Sequence, residues 1–194
     1  MMDKLKNSPH NVCAMTEFRA EVGFSALSQV EAYWEALRGT RLVPKRSDID
    51  PRGIESALEY TFVVERIAPG IARIRIAGSH LSDLMGMEVR GMPLTSLIAP
   101  SGRRQVNDLI EDVCQRPALC EMRLSAEATI TKPHLDARML LLPMKSDLGD
   151  VSRILGCLVA RGDIGVSPRR FDIIGCRIRP LTAASMAPTA PMQD

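Results

Sequence analysis

Residues 71–98 read IARIRIAGSHLSDLMGMEVRGMPLTSLI, and this stretch decides the fold. It opens as a short strand in which Ala72, Ile74 and Ile76 alternate with Arg73 and Arg75, predicting one apolar and one solvated face. Gly78 breaks the strand. Ser79 is placed to cap a short helix whose apolar residues are Leu81, Leu84 and Met85, and Gly86 stops it. A polar break at 88–91 leads to Pro93, a helix-start residue, and to a second small helix over Leu94, Leu97 and Ile98. A strand followed by two short helices in tandem makes one wall of a small cavity.

Outward from this centre, residues 60–67 predict a first strand with Phe62, Val63 and Val64 apolar. Pro69-Gly70 is a turn signal, so this strand and 71–76 form a hairpin. Downstream, 101–114 predicts a longer helix with Val106, Leu109, Ile110 and Val113 inward. Three strands follow. In 119–128, Met122, Leu124, Ala126 and Ala128 alternate with Glu121, Arg123, Ser125 and Glu127; 134–144 is a near-continuous apolar run; 152–161 follows a turn at 147–150. The expected fold is α+β, a five-stranded antiparallel sheet with the short helices on one face. Upstream, Ser28 and Glu31 fit a capping box. Val30, Tyr33, Trp34 and Leu37 then recur at helical spacing until Gly39, an amphipathic flanking helix over 28–38. Asp50-Pro51 is a further helix entry.

This order resembles that of a PAS domain, in which short helices close over one face of an antiparallel sheet. Ala77-Gly78-Ser79, Leu81, Gly86 and Gly91 resemble the version found in stand-alone bacterial PAS proteins. The run Trp34…Leu37-Arg38…Pro44…Arg46-Ser47-Asp48-Ile49-Asp50-Pro51 is similar to the leader of an alphaproteobacterial subfamily with a Tyr-Trp helix and a Pro-x-Arg-x-Asp-x-Asp-Pro segment. The resemblance covers residues 27–164. It implies a sensory or regulatory module whose flanking helix mediates self-association, in a family with members linked to motility and cell-cycle control. Around it, residues 1–23 are polar and weakly patterned and read as an arm, the PAS-like domain spans 24–164, and 165–194 is a basic segment with an Ala/Pro-rich tail. The basic segment reads either as a final strand or as an interaction segment.

The totals narrow the functional classes. Aromatic residues are 4% of the chain against 45% hydrophobic overall, so the core must be aliphatic and Met-rich. A net charge of +2, spread along the chain, argues against a nucleic-acid partner. No long apolar run opens the sequence, which argues against a signal peptide or membrane span and for the cytoplasm. The five cysteines, Cys13, Cys114, Cys120, Cys157 and Cys176, include no CxxC pair, so neither a disulfide framework nor a zinc site is indicated.

Motifs for nucleotide binding, serine hydrolysis or zinc proteolysis are missing. Of the histidines, His10 falls in the arm and His134 at a strand start. His80 sits beside the expected cavity, either as a polar residue of the small helix, as a ligand contact, or as an axial ligand to a haem-like group. The resemblance puts a proximal haem histidine on the longer helix, which has none, and the flavin-reactive cysteine segment is absent. No cofactor and no metal are therefore expected. The candidate pocket is Ile74, Ile76, His80, Leu84, Met85, Leu97, Val106 and Ile110, suited to a small apolar ligand; plain core is the competing reading for each. Val30, Tyr33, Trp34 and Leu37 are the candidate interface for a homodimer or a protein partner, competing with packing inside the monomer. Arg46, Asp48 and Asp50 are expected to cap and ion-pair, fixing the leader to the sheet.

Three functions compete. The first is a non-enzymatic regulatory module acting through protein contacts, gated by a small ligand. The second is an enzyme on a cone-shaped, ketosteroid-isomerase-like fold, which needs an acid/base pair deep in its pocket. The third is a nucleic-acid accessory protein using the C-terminal arginines, including Arg169, Arg170, Arg177 and Arg179.

Overall fold

The computed structural model describes residues 23–182. The expected arm with His10 and Cys13 and the Ala/Pro-rich tail lie outside these residues apart from their inner ends. The chain runs from helix α1 (Ser25–Arg38), through 3-10 turns at Arg46–Asp48 and Pro51–Tyr60, into the strands β1 (Thr61–Ala68) and β2 (Ile71–Ala77). Helix α2 (Ser79–Met85), a 3-10 turn at Leu94–Leu97 and helix α3 (Arg103–Gln115) follow. The chain then makes β3 (Ala118–Ala126), β4 (Leu135–Lys145), β5 (Val151–Arg161) and β6 (Asp172–Pro180).

The strands form one sheet in the order β2-β1-β5-β4-β3-β6, with every neighbouring pair antiparallel. The β1–β2 hairpin expected from Pro69-Gly70 is present. Each face of the sheet buries its own apolar cluster. On one face α2, Leu94–Leu97 and α3 cover Ile74, Met122, Met139 and Leu158. On the other α1 and Pro51–Tyr60 cover Val63, Leu140, Leu142 and Leu155. Both layers are needed because β4 and β5 carry unbroken apolar runs that would otherwise expose one side to water. The hairpin is pinned to α3 by Arg66, whose guanidinium meets the Glu111 carboxylate at 2.6 and 2.8 Å. That pair, helped by the Gly70 amide, holds the Glu111 carboxyl down at about 2.

Three features depart from expectation. The sheet has six strands rather than five, because the basic segment supplies β6 along the outer side of β3. Its alternation is masked by a bulge: Leu124 faces Ile173 and Arg123 faces Gly175, leaving Ile174 as an extra residue. Helix α1 begins at Ser25, and the Ser28–Glu31 capping box does not form. Phe24, Ala26 and Leu27 are buried, so packing extends the helix one turn upstream of the polar cap signal. Asp50 caps its turn as expected, accepting from the Arg52 amide at 3.0 Å. The ion pairs of Asp48 and Asp50 go to Arg41 and Arg52, within the leader, and not to the sheet. Backbone bonding fixes the leader instead, with the Lys145 amide donating to the Pro44 carbonyl at 2.9 Å.

Candidate functional site

The expected pocket divides into three parts. Ile74, Leu84, Met85, Leu97, Val106 and Ile110 come together as predicted, all within the helix-side cluster and at most 1% exposed. They fill the space they were expected to line. Ile76 goes elsewhere and is 53% exposed. The ladder steps from Val63↔Ile76 to Val64↔Ile74, so Arg75 is an extra residue in β2 and the alternation reverses there. Ile74 faces the helices while Ile76 faces the opposite side with Val63. His80 is half-buried between the layers. Its Nε2 accepts a hydrogen bond from the Ala160 amide at 3.0 Å, and its ring meets Tyr60 edge-on, with centroids 4.9 Å apart. Ala160 lies past the end of the β1–β5 ladder, so His80 takes the amide that no strand residue reaches.

This role makes His80 a pH-dependent clip. Burial lowers its pKa below the ordinary 6.5, outweighing the pull of Glu59 and Asp83. The unfolded chain therefore takes up the proton more readily, and protonation also removes the acceptor for Ala160. Stability is fully present above pH 6.5 and is lost as pH falls below it toward the folded pKa. In His80→Phe this slope should disappear, which thermal unfolding across pH 5–8 would show; an unchanged slope would assign it to another group.

An open, largely apolar concavity lies on the other face. A groove of about 690 Å³ runs between the Pro51–Tyr60 turn and the ends of β1 and β2. Its floor is Val63 and Leu155, and its walls include Ile49, Ile54, Leu58 and Ile76. Leu58 is 43% exposed. The neighbouring Phe62 ring packs on the helix side over Gly156, where an added Cβ would come within 2.1 Å of it. Arg46 and Glu59 supply charge at the rim. Leu58 was missed in the sequence, although Ile54, Ala57 and Leu58 at i, i+3 and i+4 make an apolar stripe broader than one contact with the sheet requires.

Of the expected interface residues, Val30 and Trp34 lie wholly inside the monomer. The Trp34 indole N–H donates to the Pro143 carbonyl at 3.0 Å. Pro143 sits beyond the β3–β4 ladder, where a missing amide leaves no donor unsatisfied on that side. Tyr33 is half-buried: its hydroxyl donates to the Asp50 carbonyl at 2.9 Å and accepts from the Asp50 amide at 2.7 Å. Leu37 is half-buried. The Tyr-Trp pair thus joins leader, helix and sheet within one chain.

The buried polar side chains among the described residues are Thr61, Ser146 and Arg169, none of them a carboxylate or histidine. No group of His, Cys, Asp or Glu among the described residues is arranged to hold a metal ion. No described helix is long and apolar enough to cross a membrane. Within the basic segment Arg169 is buried, and Arg179 pairs with Glu31 at 2.5 Å.

The family model of the PAS domain matches residues 23–159, and the chain belongs to that family. Among solved structures, the light state of the LOV domain of the blue-light photoreceptor Aureochrome1 is similar at 11% identity and a TM-score of 0.40. That match covers 58% of this chain and 88% of the other. A light-oxygen-voltage domain studied with a flavin analogue is similar at 13% identity and a TM-score of 0.42, covering 58% of this chain and 84% of the other. No curated protein matches the sequence.

Proposed function

We propose that this PAS domain is a non-enzymatic sensory or regulatory module of the cytoplasm that acts by protein contact, through the groove beside Leu58 and Ile76. The observation that carries the reading is an inversion of the expected layout. The helix-side interior is packed with the side chains that were candidates for a ligand pocket, while the opposite face holds an apolar depression with exposed Leu and Ile walls. Apolar walls with charge confined to the rim suit a protein surface or a small apolar ligand that gates it. The isomerase-like alternative is disfavoured, since it needs an acid/base pair deep in its pocket, and the buried polar side chains among the described residues include no carboxylate and no histidine. A role in motility or cell-cycle control rests on the resemblance of the leader alone.

The simplest partner is a second copy of the chain. Helix α1 then acts from behind, as the buried support that positions the Pro51–Tyr60 wall through Tyr33 and Asp50, and not as the exposed contact. Ile76→Arg, alone and with Leu58→Asp, changes exposed positions and should alter folding stability by only about 0.5 kcal/mol. It should weaken self-association by more than about tenfold, as expected for a central interface side chain. Sedimentation equilibrium with thermal unfolding as the control measures both. A wild type that stays monomeric at tens of micromolar would overturn the self-association; a variant that associates like wild type would overturn the groove.

A further inference from the structure

Two cysteines that the sequence keeps 56 positions apart meet at the outer edge of the sheet. Cys120, on β3, is buried in the helix-side core, and Cys176, on β6, is exposed. Their sulfurs stand 3.7 Å apart. In the ladder Cys120 faces Ile178 and Met122 faces Cys176, so the two thiols are diagonal neighbours on one face. Diagonal positions place Cα atoms about 7–8 Å apart, beyond the roughly 4.4–6.8 Å that a disulfide spans, and its sulfurs bond at about 2.05 Å. Closing that gap requires the strands to shift, and β6 is the strand able to do so. It is outermost, paired on one side only, and its ladder to β3 is already interrupted at Ile174.

We propose that Cys120 and Cys176 form an oxidisable dithiol that a hydroperoxide converts into an intramolecular disulfide joining β3 to β6. Cys176 reacts first because it alone of the pair is open to solvent. Its thiolate attacks the peroxide oxygen, the O–O bond breaks, and a proton completes the departing water or alcohol, leaving a sulfenic acid. The Cys120 sulfur then attacks the sulfenic sulfur; the S–O bond breaks, and the hydroxyl leaves as water with the Cys120 proton. The two thiols together supply the two electrons that reduce the peroxide. Burial, and then the neighbouring Cys176, hold the Cys120 thiol in its protonated form.

The same arrangement sets selectivity. Cys114 and Cys157 are buried, with burial pushing their thiols up to about 11 and about 12, so neither competes for the oxidant. A bond made across diagonal positions is strained, which makes it readily reducible and hence reversible. Its effect reaches both layers. β6 contacts α1 through Arg179 and Glu31, and contacts the turn before α3 through Asp172, which accepts from the Ser101 hydroxyl at 3.1 Å.

The test uses the full chain, reduced and desalted, then titrated with hydrogen peroxide. Thiol counting should show two of the five thiols lost per chain, with an intact mass lower by two hydrogens and full reversal by dithiothreitol. Peptide mapping under non-reducing conditions should join Cys120 to Cys176. Fragmentation must separate Cys120 from Cys114, because trypsin leaves both in one peptide. Cys176→Ser, at an exposed position, should abolish the loss. Cys120→Ala should leave Cys176 as a sulfenic acid that dimedone traps. Accumulation of wild-type Cys176 as sulfinic acid, or its linkage to Cys13 or to a second chain while Cys120 stays reduced, would overturn the proposal. Wild-type mapping decides this even if Cys120→Ala fails to fold.

Discussion

Trp34→Ala should cost about 3–5 kcal/mol of folding stability, the range for removing a large aromatic side chain from a core. The ring has no exposed surface and packs in the cluster between α1 and the sheet with Val43, Leu140, Leu142 and Met144. Its loss also leaves the Pro143 carbonyl without its indole donor. The effect should appear in the denaturation midpoint, and the association equilibrium of the remaining folded protein should follow wild type. A variant that stayed as stable as wild type but lost self-association would show that the ring works between chains. This contrast with Ile76→Arg separates the support from the contact surface, since the two substitutions should affect different equilibria.

Arg169→Ala should be of similar size. Arg169 is 2% exposed, and its guanidinium donates to the carbonyls of Ile164 and Pro133. Its own amide donates to the Leu84 carbonyl at 2.7 Å, so one residue ties α2, the approach to β4 and the loop after β5 together. Alanine would orphan two carbonyls, at about 1–3 kcal/mol each, and leave a cavity, for a total of about 3–5 kcal/mol. Arg169→Met refills the volume and removes a buried charge, so it should recover roughly 1–2 kcal/mol of that loss. Urea unfolding of the three proteins makes the comparison. A loss below about 1 kcal/mol for Arg169→Ala would mean that the loop is held by its other contacts. Either result bears on the basic segment: a buried Arg169 is not available to a nucleic acid, and Arg179 is engaged with Glu31.

The order of elements was legible because each one carries its own local signal. The Pro69-Gly70 turn, the alternation in β3 and the glycine stop at Gly86, which takes the left-handed conformation at φ 69°, are settled by neighbours in the chain. The helical stripe Val30-Tyr33-Trp34-Leu37 was equally plain as a helix. Its destination was not, because an amphipathic face has the same pattern whether it covers its own sheet or a partner's. Only the position of β4 and β5 beneath α1 settled that Trp34 lies inside.

By itself, then, the sequence determined the class of fold, the β1–β2 pairing and the apolar character of the helix-side core. The tertiary structure decided where three alternations break or end. The extra residue at Arg75 turned Ile76 from the helix side to the groove, and the one at Ile174 hid β6 from a period-two reading. Burial of Phe24 and Leu27 moved the start of α1 upstream of its polar cap. The physical reason is common to all three. A bulge is set by which residue of the partner strand lies opposite, and a helix end by what it packs against; neither is encoded within a few residues of the change. The same holds for the two sulfurs, which only the pairing of β6 with β3 brings within 3.7 Å.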